Sequence, residues 1–129
     1  MECDLIIRGM CCLRPGLKGV SENIRVRSII GRFLEHTRVF YFHNGGKPET
    51  WCASADFMPR NMFHRVETCF LLKDKKLANR VRKDLETYLV DNCQSWSLES
   101  DGSYRLQSPG ASDPISAQET LLYAYASKT

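Results

Sequence analysis

Residues 36 to 61 read HTRVFYFHNGGKPETWCASADFMPRN. Val39-Phe40-Tyr41-Phe42 is a short apolar run rich in β-formers, so a buried strand is expected there. Asn44-Gly45-Gly46 ends it, because asparagine and glycine accept the positive φ that a reversal requires. Trp51 to Ala55 is the expected return strand. With the two paired antiparallel, Ser54 to Asp56 come back beside His36 and Arg38. His36 and Arg38 are two apart and share a face if the strand includes them. A histidine, an arginine, a serine and an aspartate then meet at one hairpin end, with Arg60 and Arg65 a few residues on. That is a plausible anion site.

The rest of the chain supplies a frame for this hairpin. Leu5-Ile6-Ile7 predicts a strand, with Arg8 at its carboxyl end, where ligand sites of open α/β sheets are favoured. Pro15-Gly16 and Gly19 mark a loop. Residues 24 to 30 alternate as a strand does, and Val66 to Leu72 predict another. Asp74 is an N-cap for a helix over 75 to 90, with Leu77, Ala78, Val81, Leu85, Tyr88 and Leu89 on one face. Trp96-Ser97-Leu98 and Tyr104-Arg105-Leu106 flank a turn. Ser116, with Glu119 three residues on, caps a final helix. This order predicts a mixed α/β (α+β) domain with one sheet, spanning 1 to 129.

With 129 residues, 43% of them hydrophobic and 26% charged, the chain has enough material for one domain core. No apolar run is long enough to span a bilayer, and the acidic opening Met1-Glu2-Cys3-Asp4 is unlike a signal peptide. The six cysteines include no CxxC and no metal spacing, and are expected to be reduced, mostly small core residues in the cytoplasm. A net charge of +3 is too slight to imply nucleic acid. There is no GxxxxGK[ST] or GxGxxG loop, and no metal-ligand cluster. The arginines are the stronger hint. Arg8, Arg14, Arg25, Arg27, Arg32, Arg38, Arg60 and Arg65 are dispersed, and a guanidinium fork suits phosphate. His43, in the turn, and His64, in a loop, are expected at the surface, whereas His36 stands where a buried strand begins.

Three strings carry a resemblance: Arg8-Gly9-Met10-Cys11-Cys12-Leu13-Arg14-Pro15-Gly16, Ser21-Glu22-Asn23-Ile24-Arg25-Val26, and Gly31-Arg32-Phe33-Leu34-Glu35-His36-Thr37-Arg38. With Ser54 to Asn61, Arg65-Val66-Glu67 and Ser116-Ala117-Gln118-Glu119, they resemble the C-terminal region of bacterial polyphosphate kinases of the long, type-one family. His36-x-Arg38 followed by Ser54-x-Asp56-x-x-x-Arg60-Asn61 is also similar to the HxK…GSxN…RS pattern of the phospholipase D superfamily. Arginine stands for lysine, aspartate for asparagine, and His43 for an aspartate. These departures argue against phosphodiesterase chemistry.

The resemblance implies a phospholipase D-like mixed sheet flanked by helices. It implies reversible transfer of the ATP γ-phosphate to inorganic polyphosphate through a phosphohistidine on a domain this chain lacks. Mg²⁺ accompanies ATP, with no ligands expected here. His36 matches a catalytic histidine facing the nucleotide phosphates, and Arg8, His36 and Arg65 the ATP/phosphate contacts. Arg38, Ser54, Asp56 and Arg60 would support them. The expected partners are ATP/ADP, polyphosphate, the remaining domains of the enzyme and further copies in a homo-oligomer, without nucleic acid. The expected location is the cytoplasm, or the periphery of the inner membrane. As an excised segment the chain alone is expected to be inactive. A phospholipase D-like half-site with His36 as nucleophile, and a non-catalytic polyanion-binding module, are the alternatives.

Overall fold

The structure, a computed structural model, describes residues 1–126. Its strands are β1 (Cys3–Ile6), β2 (Ile24–Ile29), β3 (Val39–Phe42), β4 (Glu49–Ala53), β5 (Cys69–Leu71), β6 (Ser95–Leu98) and β7 (Tyr104–Leu106). The helices are α1 (Pro59–His64), α2 (Lys75–Val90) and α3 (Ala117–Ala126). This is the mixed α/β class that the order of elements predicts. The expectation of one sheet is corrected to two, ordered β1-β2-β6-β7 and β3-β4-β5. The reason lies in the edges of β2: β1 pairs along one in parallel and β6 along the other antiparallel. With both edges of β2 taken, the hairpin strands pair with each other and add β5 to form a sheet of their own.

The chain forms two compact units. One comprises Met1–Leu34 and the residues from Glu86 onward, the other Glu35–Leu85. In the first, Val26, Ile29, Leu98 and Ala117 are buried. Asp91 ties this unit together. One carboxylate oxygen accepts the Cys93 and Gln94 N–H groups at 3.0 and 2.7 Å, and the other accepts the Ala117 N–H at 2.7 Å. A helix leaves its first N–H groups without intrahelical partners, so a buried carboxylate there satisfies a donor of α3 and fixes where it starts. Ser116 adds the expected cap, its hydroxyl 3.5 Å from the Glu119 N–H. The Arg27 guanidinium donates to the Leu89 carbonyl at 2.6 Å, serving one of the last unpaired carbonyls of α2.

In the second unit, Asn44, Gly45 and Gly46 all take positive φ (48°, 59° and 89°), as the reversal between β3 and β4 requires. Asp74 caps α2 as expected, accepting the N–H groups of Lys76 and Leu77 at 2.7 and 3.0 Å. Leu77 departs from the expected apolar face and is 59% exposed. Helix α1 falls where a loop is expected, so His64 closes a helix instead. Its six residues are too short for an apolar period, and Met58 at the N-cap offers no side-chain bond; Pro59 at the start is its one local signal. None of the six cysteines is fully buried and two, Cys12 and Cys69, are exposed, which corrects their expected core role. Cys69 opens β5, an edge strand of the three-stranded sheet, where it is left exposed.

Candidate functional site

The antiparallel register runs from Val39 opposite Cys52 to Phe42 opposite Glu49. Pairing extends one step further, the Ala53 N–H donating to the Arg38 carbonyl at 2.9 Å. Residues 36–38 and 53–56 therefore lie side by side, as the hairpin reading requires. The Arg38 guanidinium donates to Asp56 Oδ1 at 2.7 Å, with side chains 27% and 39% exposed. It also donates to the His36 carbonyl at 2.9 Å. This second bond occupies a backbone acceptor, and β3 starts only at Val39. His36 is thus exposed on an irregular segment, and not at the start of a buried strand.

Ser54 takes a partner the sequence did not indicate. Its hydroxyl donates to Glu67 and accepts the Thr68 N–H at 3.0 Å. Asn61, buried on α1, donates to the other Glu67 oxygen at 2.6 Å. Glu67 and Asn61 are therefore site residues that pattern reading passed over. Both stand inside the quoted strings, in Arg65-Val66-Glu67 and Arg60-Asn61, but nothing local says that they meet.

The charges follow from these contacts. The Arg38 hydrogen bond holds the Asp56 carboxyl below its ordinary value, with Arg38, Arg60 and His36 also attracting it and burial opposing. Glu67 is lowered first by the Ser54 hydroxyl, then by Asn61, with longer-range help from Arg65 and Arg38. Arg38 is held charged chiefly by Asp56. Three guanidiniums thus face two carboxylates. Only Arg38 is in direct contact with one; Arg60 and Arg65 are exposed and act on Asp56 and Glu67 from further away. Arg8, two residues past β1 and exposed, belongs to the other unit. His43, beside the Asn44–Gly46 turn, and His64, ending α1, are both exposed, as expected.

This arrangement makes the second unit acid-sensitive. Asp56 and Glu67 titrate lower in the folded chain than in the unfolded one, where values near 3.8 and 4.5 apply. Their stabilising effect is complete above those values and is lost as pH falls through the folded ones. Urea melts are expected to hold steady from pH 7 to about 5 and to weaken below about 4, with Asp56→Asn flattening part of that decline. An unchanged acid limb in Asp56→Asn would show that the Arg38 pair contributes nothing to it.

No group of three or more His, Cys, Asp or Glu side chains able to hold a metal ion occurs among the described residues. None of their helices is long and apolar enough to cross a membrane. What the fold presents is a mixed α/β module whose hairpin end carries Arg38 braced by Asp56, with Arg60 and Arg65 exposed and acting on Asp56 and Glu67 from further away.

The comparisons name the family. Residues 1–118 match the family model "Polyphosphate kinase C-terminal domain 2". Polyphosphate kinase of Pseudomonas aeruginosa is 61% identical over 120 residues, which are 92% of this chain and 17% of that protein. Polyphosphate kinase 1 of Chlorobaculum tepidum is 57% identical over 106 residues, 82% of this chain and 15% of that one. The crystal structure of polyphosphate kinase from Porphyromonas gingivalis superposes with a TM-score of 0.92 at 37% identity, over 98% of this chain and 19% of that one. The chain belongs to the polyphosphate kinase family, as its C-terminal domain 2. It spans less than a fifth of the length of these relatives.

Proposed function

We propose that this chain supplies one half of the ATP and phosphate site of a polyphosphate kinase. The reaction would move the ATP γ-phosphate reversibly onto inorganic polyphosphate, passing through a phosphohistidine carried by another domain. The observation that carries this reading is the hairpin end itself, in a chain of this family: the exposed His36 and Arg60 act on Asp56, which Arg38 contacts, and Arg65 acts on the neighbouring Glu67. Phosphoryl transfer asks the protein mainly for positioning and charge cancellation. His36 would donate a hydrogen bond or a proton to a phosphoryl oxygen, and Arg65 and Arg8 would grip phosphates. Asp56 and Glu67 would be the braces that fix Arg38 and the ends of the hairpin. Both carboxylates are committed to Arg38, Ser54 and Asn61, which does not suit a resident metal. Mg²⁺ would enter on ATP, as part of the substrate. The remaining domains of the enzyme, a homo-oligomeric assembly and a cytoplasmic location complete the proposal.

The direct test follows the three histidine rings by NMR as a short polyphosphate, or an ATP analogue with Mg²⁺, is added to the chain. His36 is expected to shift at a concentration at least about tenfold below that which moves His43 and His64, equivalent to about 1.4 kcal/mol of preference. If all three shift together and salt abolishes the effect, the surface is a generic anion binder and the proposal fails.

A further inference from the structure

Residues 73 to 83 read KDKKLANRVRK: six of the eleven are lysine or arginine and one, Asp74, is acidic. That is a local charge of +5 in a chain whose total is +3, so the other residues together are net acidic. No role in the hairpin site accounts for this stretch, which lies wholly within the second unit. It leads into α2 and forms the first half of that helix. Lys76, Arg80 and Lys83 recur at i, i+4 and i+7 and share one side of it, with Lys75 and Arg82 along the flank. From Lys76 to Lys83 that side is about 10 Å long. Lys73, Lys75, Lys76 and Lys83 are exposed, and Arg80 is partly buried.

The charges oppose the helix that carries them. Asp74 Oδ1 already accepts the Lys76 and Leu77 N–H groups, so the one acid of the stretch is committed to capping. Lys75 and Lys76 stand in the first turn of α2, Lys75-Lys76-Leu77-Ala78, where the helix dipole favours anions and disfavours cations. Lys76 and Arg80 are like charges at a repulsive spacing. Asp84 reaches Arg80 at 3.5 Å, and the Arg82 guanidinium lies 5.1 Å from the centre of the Tyr41 ring. Local choices that work against their own element mark functional positions.

We propose that this side of α2, with Lys73, is a second polyphosphate-binding surface beside the hairpin end. In inorganic polyphosphate each phosphate shares a bridging oxygen with the next and carries its own negative charge. With no sugar between them, the charges are packed more closely than in a nucleic acid, so a basic side of about 10 Å meets a run of them. Arg82 over Tyr41 places α2 against β3. Tyr41 is three residues along from Arg38, so about 10 Å of extended chain separates the two basic surfaces. A long linear polymer can engage both at once, and linked contacts raise affinity above that of either alone. The inference rests on the proposed function for the identity of its ligand.

The test uses a full-length polyphosphate kinase carrying this segment, with Lys73→Gln, Lys75→Gln and Lys76→Gln combined, and the same three positions changed to arginine as the charge-preserving partner. Equilibrium binding is measured to long-chain polyphosphate and to tripolyphosphate. The glutamine variant is expected to bind the long chain about tenfold more weakly at low salt and tripolyphosphate within about threefold of normal, the gap narrowing as salt rises because fewer counterions are released. The arginine variant should bind the long chain normally. Glutamine is a good helix former and relieves the first turn, so the thermal midpoint should hold or rise. A lower midpoint would show that the lysines are structural and overturn the inference. Long-chain affinity within about threefold of normal, or an equal loss for tripolyphosphate, overturns it as well. So does single-stranded DNA bound as tightly through the same lysines, which would make the surface a general polyanion binder. Each of these results leaves the proposed function standing; that reading falls instead if His36→Ala leaves transfer unchanged.

Discussion

Substituting His36→Ala in a full-length polyphosphate kinase carrying this segment is expected to slow phosphoryl transfer by about 100-fold, or about 2.7 kcal/mol of transition-state stabilisation. A positioned imidazole can hydrogen-bond to, or protonate, an oxygen on which charge accumulates, and that interaction strengthens as transfer proceeds. The structure makes this substitution clean. Arg38 bonds to the His36 backbone carbonyl, not to its ring, so alanine leaves the Arg38–Asp56 brace in place. The ring is exposed, and its removal opens no cavity. The loss should fall on kcat, with the thermal midpoint unchanged. A steady-state comparison of the two enzymes decides the matter: a change of less than about threefold, under 0.7 kcal/mol, makes His36 a bystander.

Arg65→Lys and Arg8→Lys form the second large expectation. Each keeps its positive charge and loses the planar fork, so the comparison isolates geometry from charge. A bidentate guanidinium–phosphate contact is charge-assisted on two bonds, and bonds of that kind contribute about 1.5–3 kcal/mol each. A loss of about tenfold in kcat/KM is therefore expected for either lysine variant, and a deeper one for alanine. Arg25→Lys is the matched control. Its guanidinium is already spent on Asp4 at 2.7 Å and on Glu2 at 3.0 Å, which hold it firmly charged. That variant should transfer phosphate at the normal rate. Steady-state kinetics on all three distinguishes the cases. Lysine variants of Arg8 and Arg65 that match Arg25→Lys would show that only a diffuse positive field is needed.

The hairpin and the site were legible to different degrees. Val39 to Phe42, Asn44-Gly45-Gly46 and the return strand carry local signals, and the antiparallel pairing that follows from them does bring Asp56 to Arg38. The meeting of Arg38 and Asp56 at the hairpin end could thus be named in advance. The partner of Ser54 could not. Its hydroxyl looks back toward His36 in a two-strand reading, and only the third strand, β5, with the residues leading into it brings Glu67 within reach. Helix α1 escaped notice for a related reason. Six residues do not repeat an apolar pattern, and what places Asn61 is the carboxylate it meets.

Sequence alone determined the elements that rest on neighbours within a few positions. Asp74 starts α2 by accepting N–H groups two and three residues on, Ser116 caps α3, and the positive φ values of the hairpin turn need asparagine and glycine. It also determined the family, because the quoted strings are specific and are spread along the chain from Arg8 to Glu119. Tertiary structure decided the rest. Two sheets form in place of one: β6, far along the chain, takes the second edge of β2, and the hairpin pairs with β5 instead. Phe33 is fixed by Gln118, 85 residues away. Such contacts are paid for by chain closure and repaid by burial, and no short-range pattern records which edge or which amide wins that competition.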